Sequence, residues 1–275
     1  MKTARHVTIL LAILGFFLIL MYVSPFYIIV VNSFKTQREF FENVLQWPSS
    51  LYLNNYKQAM KDIKYFEAIG NTLFITVGSL ISIVLLSGMA AWRLTRTRGR
   101  RISRFFYYLL IAGMLVPFQG IMLPFVSWVN KLGLMNKAGM WFIYTGFGAG
   151  MATFLISGFV GNIPMDIEEA ALIDGCGTWK LYWRIVFPML RTILLSVIFL
   201  DLIWIWNDYL MPSLIINQPG NQTLPIMVFQ FFGGQFRKWS LALAALVMVI
   251  TPVVVFYIFA QKWVIKGIAS GAVKM

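Results

Sequence analysis

The sequence predicts an all-α integral membrane protein with six transmembrane helices. Three observations predict it. Of 275 residues, 59% are hydrophobic and 12% charged, with a mean hydropathy of +0.75. A soluble domain is about 45–50% apolar and roughly 25% charged. Uncharged stretches of about 20 residues, the length a helix needs to cross a bilayer core, recur along the chain. The 24 Phe, 11 Tyr and 10 Trp fit side chains that favour membrane interfaces. There is too little polar side chain to cover a globule, which excludes a soluble enzyme, a disordered chain and a disulfide scaffold.

The chain reads as a single transmembrane domain over 1–275, with spans at about 7–31, 68–92, 105–130, 138–163, 192–217 and 239–261. The fifth is interrupted only by Asp201 and Asp208. Backbone amides in lipid need internal partners, so each span is expected to be a helix. The first follows Lys2 and Arg5 as a signal peptide would. It is too long for a signal core and has no clear small-residue cleavage site before Pro25, so it is read as retained. The first outer loop, 32–67, has room for one short interfacial helix.

The formal charge of +13 is explained by loops rather than by nucleic acid. Arg93, Arg96, Arg98, Arg100, Arg101 and Arg104 crowd the second loop and are read as an inner-leaflet anchor. They place both termini in the cytoplasm. A lone Cys176 and a lone His6 exclude an internal disulfide, a His/Cys metal cage and a Cys–His nucleophile pair.

The fourth loop, 164–190, differs from the others. Asp166 is placed to cap a helix with Glu169 three residues on, and two acids suit the positive end of the dipole. Gly175 and Gly177 should stop that helix, and Thr178 should cap a second that ends before Pro188. Glu169-Ala170-Ala171, three residues, Gly175, nine residues, Ile185, one residue and Phe187-Pro188 resembles the EAA signature of bacterial ABC importer permeases, with Phe187 where Leu is usual. Trp206-Asn207-Asp208-Tyr209-Leu210-Met211-Pro212 and the tail Lys266–Lys274 resemble segments of carbohydrate importers in that family, among them the six-helix permease of the maltose transporter.

The resemblance implies a type I ABC importer permease fold whose EAA helix is a cytoplasmic coupling helix docking on a separate ATPase. Glu168, Glu169, Ala170, Ala171, Asp174, Gly175, Ile185 and Pro188 would form the docking set. It implies as partners a second homologous permease, two ATP-binding cassette subunits carrying ATP and Mg, and an extracytoplasmic sugar-binding protein. The chain contains no G-x-x-x-x-G-K-[ST] phosphate loop, so ATP hydrolysis is expected elsewhere and no cofactor on this chain.

Acids inside a span face a bundle interior or an aqueous cavity. Asp201, Trp204 and Asp208, with neighbouring Asn207, are either a pathway wall for sugar or groups paired with a partner subunit. No Lys or Arg interrupts a span, which points to a neutral cargo. In the last outer loop, Gly233, Gly234 and Gln235 form a tip that by resemblance would reach the binding protein. Trp128, Trp141 and Trp239 are read as interfacial anchors. Gly146, Gly148, Gly150, Gly158 and Gly161 are read as sites of close helix packing. Rival functions are an importer of polyamine or glycerol phosphate, an ion-coupled secondary transporter, and a membrane enzyme, which lacks a catalytic set.

Overall fold

A computed structural model describes residues 2–216, 218–232 and 238–272, and of residues 2–6, 8, 9, 260 and 262–272 the backbone alone. Among the described residues every regular element is helical. In chain order these are α1 (Lys2–Ser33), α2 (Gln37–Glu42), α3 (Asn54–Asp62), α4 (Tyr65–Arg96), α5 (Arg101–Leu115), α6 (Phe118–Lys131), α7 (Lys137–Val160), α8 (Met165–Ile173), α9 (Thr178–Leu181), α10 (Phe187–Met189), α11 (Arg191–Asn207), α12 (Leu210–Ile215), α13 (Leu224–Phe229) and α14 (Trp239–Ala272). Four helices are long and apolar enough to cross a membrane, and up to six spans result if each of two sharply bent pairs is counted as one. The chain divides into two compact units, Met1–Glu67 with Met227–Val253, and Ala68–Ile226 with Val254–Met275.

In the first unit, α1 exposes large apolar side chains around its circumference, as a helix in contact with lipid must. The loop that follows it holds two short helices, α2 and α3, where the sequence predicts one. Thr36 starts α2 with a capping box: its hydroxyl accepts from the Glu39 N–H while Glu39 accepts from the Thr36 N–H. Glu39 also accepts from the backbone and hydroxyl of Ser49, which pins the return of the loop. Lys35 is 1% exposed, and its ammonium donates to the carbonyls of Asn43 at 2.8 Å and Val44 at 3.4 Å. Asn55 donates to the carbonyls of Ser33 and Lys35, tying α3 to the end of α1. Trp239 stacks on Phe40 at 6.0 Å.

The second unit is built on α4, α7 and α11. Its core includes Ile83, Met140, Ile156, Val186 and Leu190, all essentially buried. Gly150 lets α5 approach α7: a Cβ there would lie 2.8 Å from the Leu110 carbonyl oxygen. Gly146 and Gly158 have nothing near the equivalent position, so only part of the glycine row is a packing device. Trp141 lies across Gly78 and donates to Ser82 at 2.9 Å, so it locks α7 to α4 instead of standing alone at an interface.

Two predicted spans are not continuous. The third breaks between α5 and α6 with a bend of 104°. Pro117 has no N–H, and the residue before a proline is driven to extended backbone; Val116 sits at φ −80°, ψ 113°. The fifth stops at Asn207, because Asp208 is extended at φ −71°, ψ 123° and its carboxylate accepts from the Met211 N–H at the start of α12. A further bend of 72° separates the segment 178–189 from α11.

Candidate functional site

The 164–190 loop is a helix, a glycine turn and a second helix. Asp166 does not cap α8, nor does Glu169 complete a capping box. Pro164 occupies the cap position, so Asp166 lies inside the first turn and meets the dipole with Glu168. Gly175 does stop the helix. At φ +80° it lies in the left-handed region; its N–H bonds the Leu172 carbonyl, and the Cys176 N–H bonds the Ala171 carbonyl at 2.9 Å. This pair of bonds is a Schellman closure. Thr178 begins α9 but makes no side-chain cap. Pro188 does not end the second helix: a π turn over Tyr182–Val186 precedes it, and the chain stays helical through Met189.

The predicted docking residues divide by face. Glu169, Ala170, Asp174, Gly175 and Pro188 are exposed, as are Ile173 and Trp179. Ile185 is half-buried and Ala171 buried. Glu168 is turned inward and offers no charge to a partner. Its Oε1 accepts from Arg96 Nε at 2.9 Å and Nη2 at 2.7 Å, and its Oε2 accepts from Trp92 Nε1 at 2.9 Å. Arg96 Nη2 also donates to the Ile163 carbonyl at 2.9 Å. The reason is the geometry of α4's last turn, which brings Trp92 and Arg96 onto one face beside the start of α8. Arg96 is therefore no lipid anchor. Tyr182 packs on Trp92 at 5.3 Å between ring centroids, in space that Gly88 leaves open. The sequence did not single out Trp92, and it placed Arg96 among the inner-leaflet arginines; the signal for the pair was their four-residue spacing at the end of α4.

Among the helices apolar enough to span a membrane, a cavity of about 470 Å³ lies between the α5–α6 elbow, α7 and α11. Asp201 and Trp204 line it with Phe118, Gln119, Phe147 and Gly148. Asp208 and Asn207 do not join them. Asn207 is exposed and donates to its own helix at Ile203, while Asp208 has left the helix and accepts from the Tyr144 hydroxyl at 2.9 Å. Tyr144 in turn meets the Trp204 ring edge-on at 5.3 Å. Asp208 is thus linked to the cavity wall at Trp204 through Tyr144.

On α4's opposite end, Asn71 donates to the carbonyls of Gly220 and Gln222 and accepts from Lys137. Thr72 accepts from the Leu224 N–H at 2.9 Å. The expected Pro219-Gly220 turn is present, with Gly220 at φ +88°. Gly233, Gly234 and Gln235 lie outside the described residues.

Residues 83–270 match the family described as the binding-protein-dependent transport system inner membrane component. The chain belongs to that family. It is a membrane-spanning permease component of such a transport system. The chain is 45% identical, over 96% of both chains, to a probable starch degradation products transport system permease protein of Thermoanaerobacterium thermosulfurigenes. It is 32% identical, over 91% of each, to a multiple sugar-binding transport system permease protein of Streptococcus mutans. It is 31% identical to a melibiose/raffinose/stachyose import permease protein of Bacillus subtilis, over 99% of this chain and 98% of the relative. A crystal structure of a bacterial ABC transporter involved in the import of the acidic polysaccharide alginate superposes with a TM-score of 0.84 over 95% of this chain and 98% of that chain, at 22% identity. The fold is that of a type I ABC importer permease.

Proposed function

We propose that this chain is the permease subunit of an ATP-driven importer of sugar or oligosaccharide, working by alternating access. It pairs with a second permease of the same kind, and two ATP-binding cassette subunits hold ATP and Mg. An extracytoplasmic sugar-binding protein delivers the cargo. Both termini and the 164–190 loop lie in the cytoplasm. The chain itself hydrolyses nothing. The similarity to the sugar permeases above supports the cargo class.

The observation that carries the reading is the two-sided build of α8. Its outer side presents Glu169, Ala170, Ile173 at 85% exposure and, after the glycine turn, Trp179 at 67%. Its inner side is bolted to α4 through Glu168 and Arg96. Small residues let a partner surface approach, and a large aromatic is a suitable anchor. A push on the outer side is thereby handed to the end of a membrane helix.

The test is reconstitution of the complete complex in vesicles, with the isolated chain as control. Sugar uptake should require ATP, the ATP-binding subunits and the binding protein, and the purified chain alone should release no phosphate. Uptake driven by an ion gradient without an ATP-binding subunit would overturn the reading.

A further inference from the structure

The cavity beside Asp201 is the feature of the molecule whose cost most needs a return. An acid at membrane depth is expensive and normally finds a partner. Asp201 is 7% exposed, yet among the described residues it has no hydrogen bond and no ion pair. Its carboxyl lines an open cavity. Gly148 stands directly across from it: a Cβ there would be 3.7 Å from Asp201 Oδ1 and 2.5 Å from Ile83 Cδ1. The wall is thus kept thin at the place where the acid looks in. Trp204 flanks Asp201 three residues on, held edge-on by Tyr144, which Asp208 fixes in turn. From the elbow come Phe118, packed on Phe147 at 5.9 Å, and the amide of Gln119. No Lys or Arg lines the cavity among the described residues. Its volume falls within the range of about 300–1,000 Å³ usual for small-molecule sites.

We propose that this cavity is a cargo subsite belonging to this subunit itself, selective for neutral polyhydroxylated sugar. The proposal rests on the importer reading above. Asp201 accepts hydrogen bonds from cargo hydroxyls, Gln119 donates and accepts at the rim, and Trp204 and Phe118 offer ring faces to C–H surfaces. A carboxylate with no compensating cation gives a uronate sugar nothing to pair with. The proline-made elbow between α5 and α6 is one wall of the site, so the break in the third span has a use.

The experiment uses the complete complex, with maltotriose as the neutral probe and a trimeric uronate as the acidic one. In a Cys176→Ser background, Met151→Cys places a thiol on the cavity lining, and labelling by a water-soluble maleimide is followed during ATP turnover with the binding protein present. Maltotriose should slow labelling several-fold and the uronate should not. Asp201→Ala and Trp204→Ala should each lower maltotriose uptake by about tenfold, the loss expected for a strong hydrogen bond or ring contact, while binding-protein-stimulated ATP hydrolysis persists. Asp201→Asn, which keeps an acceptor, should restore most of the uptake. Undiminished uptake by Asp201→Ala, loss of uptake and stimulation together, or equal protection by the uronate would overturn the subsite. A wild-type complex that imports no sugar at all sinks the importer reading instead, so the two failures are distinguishable.

Discussion

Arg96 and Glu168 form a buried ion pair at 2.7 Å, with both side chains about nine-tenths removed from solvent. The pair joins the last turn of α4 to the first turn of α8, and Trp92 occupies the second carboxylate oxygen. A buried ion pair is poor evidence of net stability, but breaking it from one side is costly. Glu168→Ala leaves the Arg96 charge without its counter-ion and the Trp92 indole unpaired, and is expected to destabilise the chain by about 3–5 kcal/mol. Thermal unfolding in detergent, followed by tryptophan fluorescence, should show the drop, and an unchanged midpoint would remove the brace from the account. Arg96→Lys should recover little, since an ammonium cannot reproduce the forked contact to Glu168 and Ile163.

Gly175 tests the turn that follows. At φ +80° a β-branched side chain is strained by roughly 1–2 kcal/mol, whereas Asn tolerates this region. Gly175→Val should depress ATP-coupled uptake at normal membrane expression, and Gly175→Asn should remain close to wild type. Equal uptake by the two would show that the Schellman closure is dispensable. Glu169→Lys, an exposed charge reversal on the same helix, should impair uptake without altering the melting temperature.

Tyr144 and Asp208 make a second buried link. Tyr144→Phe strips the carboxylate of its hydroxyl donor and leaves the backbone N–H groups of Leu210 and Met211 as its contacts, at an expected cost of about 1–3 kcal/mol. Because Trp204 leans on the same ring, uptake should fall more than stability accounts for. Parallel measurement of unfolding and of uptake separates the two effects.

The glycines of α7 give a paired prediction. Gly150→Val forces a side chain against the Leu110 backbone and should cost about 1–3 kcal/mol through overpacking. Gly158→Ala meets open space and should be neutral. Yield and monodispersity after detergent extraction are a sufficient readout; similar behaviour of both variants would contradict the packing assignment.

The loop between α1 and α3 should be acid-sensitive over a defined window. Hydrogen bonds from Ser49, reinforced by the Thr36 N–H, pull the Glu39 carboxyl down from 4.5 to about 2. A carboxyl depressed in the folded state stabilises above its unfolded value, and that contribution is lost as pH falls through the folded one. Amide protection over residues 36–49 should therefore decline between pH 4.5 and about 2. Glu39→Gln should show weaker protection at neutral pH and no decline across that interval.

What the sequence determined by itself was composition and local chemistry. Apolar length and the bilayer's demand for satisfied amides made the chain a helical membrane protein, because each of those signals is confined to one segment. The spacing from Glu169 to Pro188 carried the family, and Gly175 marked its turn, because a left-handed residue is written locally. The tertiary structure decided which of two adjacent glutamates faced out. Glu168 and Glu169 are equivalent in sequence, and only the arrival of Trp92 and Arg96, from about seventy residues earlier, turned one inward. It also separated Asp201 from Asp208. Their seven-residue spacing places them on one face of an unbroken helix, but Tyr144 and the Met211 N–H hold Asp208 where the helix has ended, while Asp201 is left facing a cavity. Polar groups at membrane depth are sorted by the partners they can reach, and those partners are assembled only when distant helices pack.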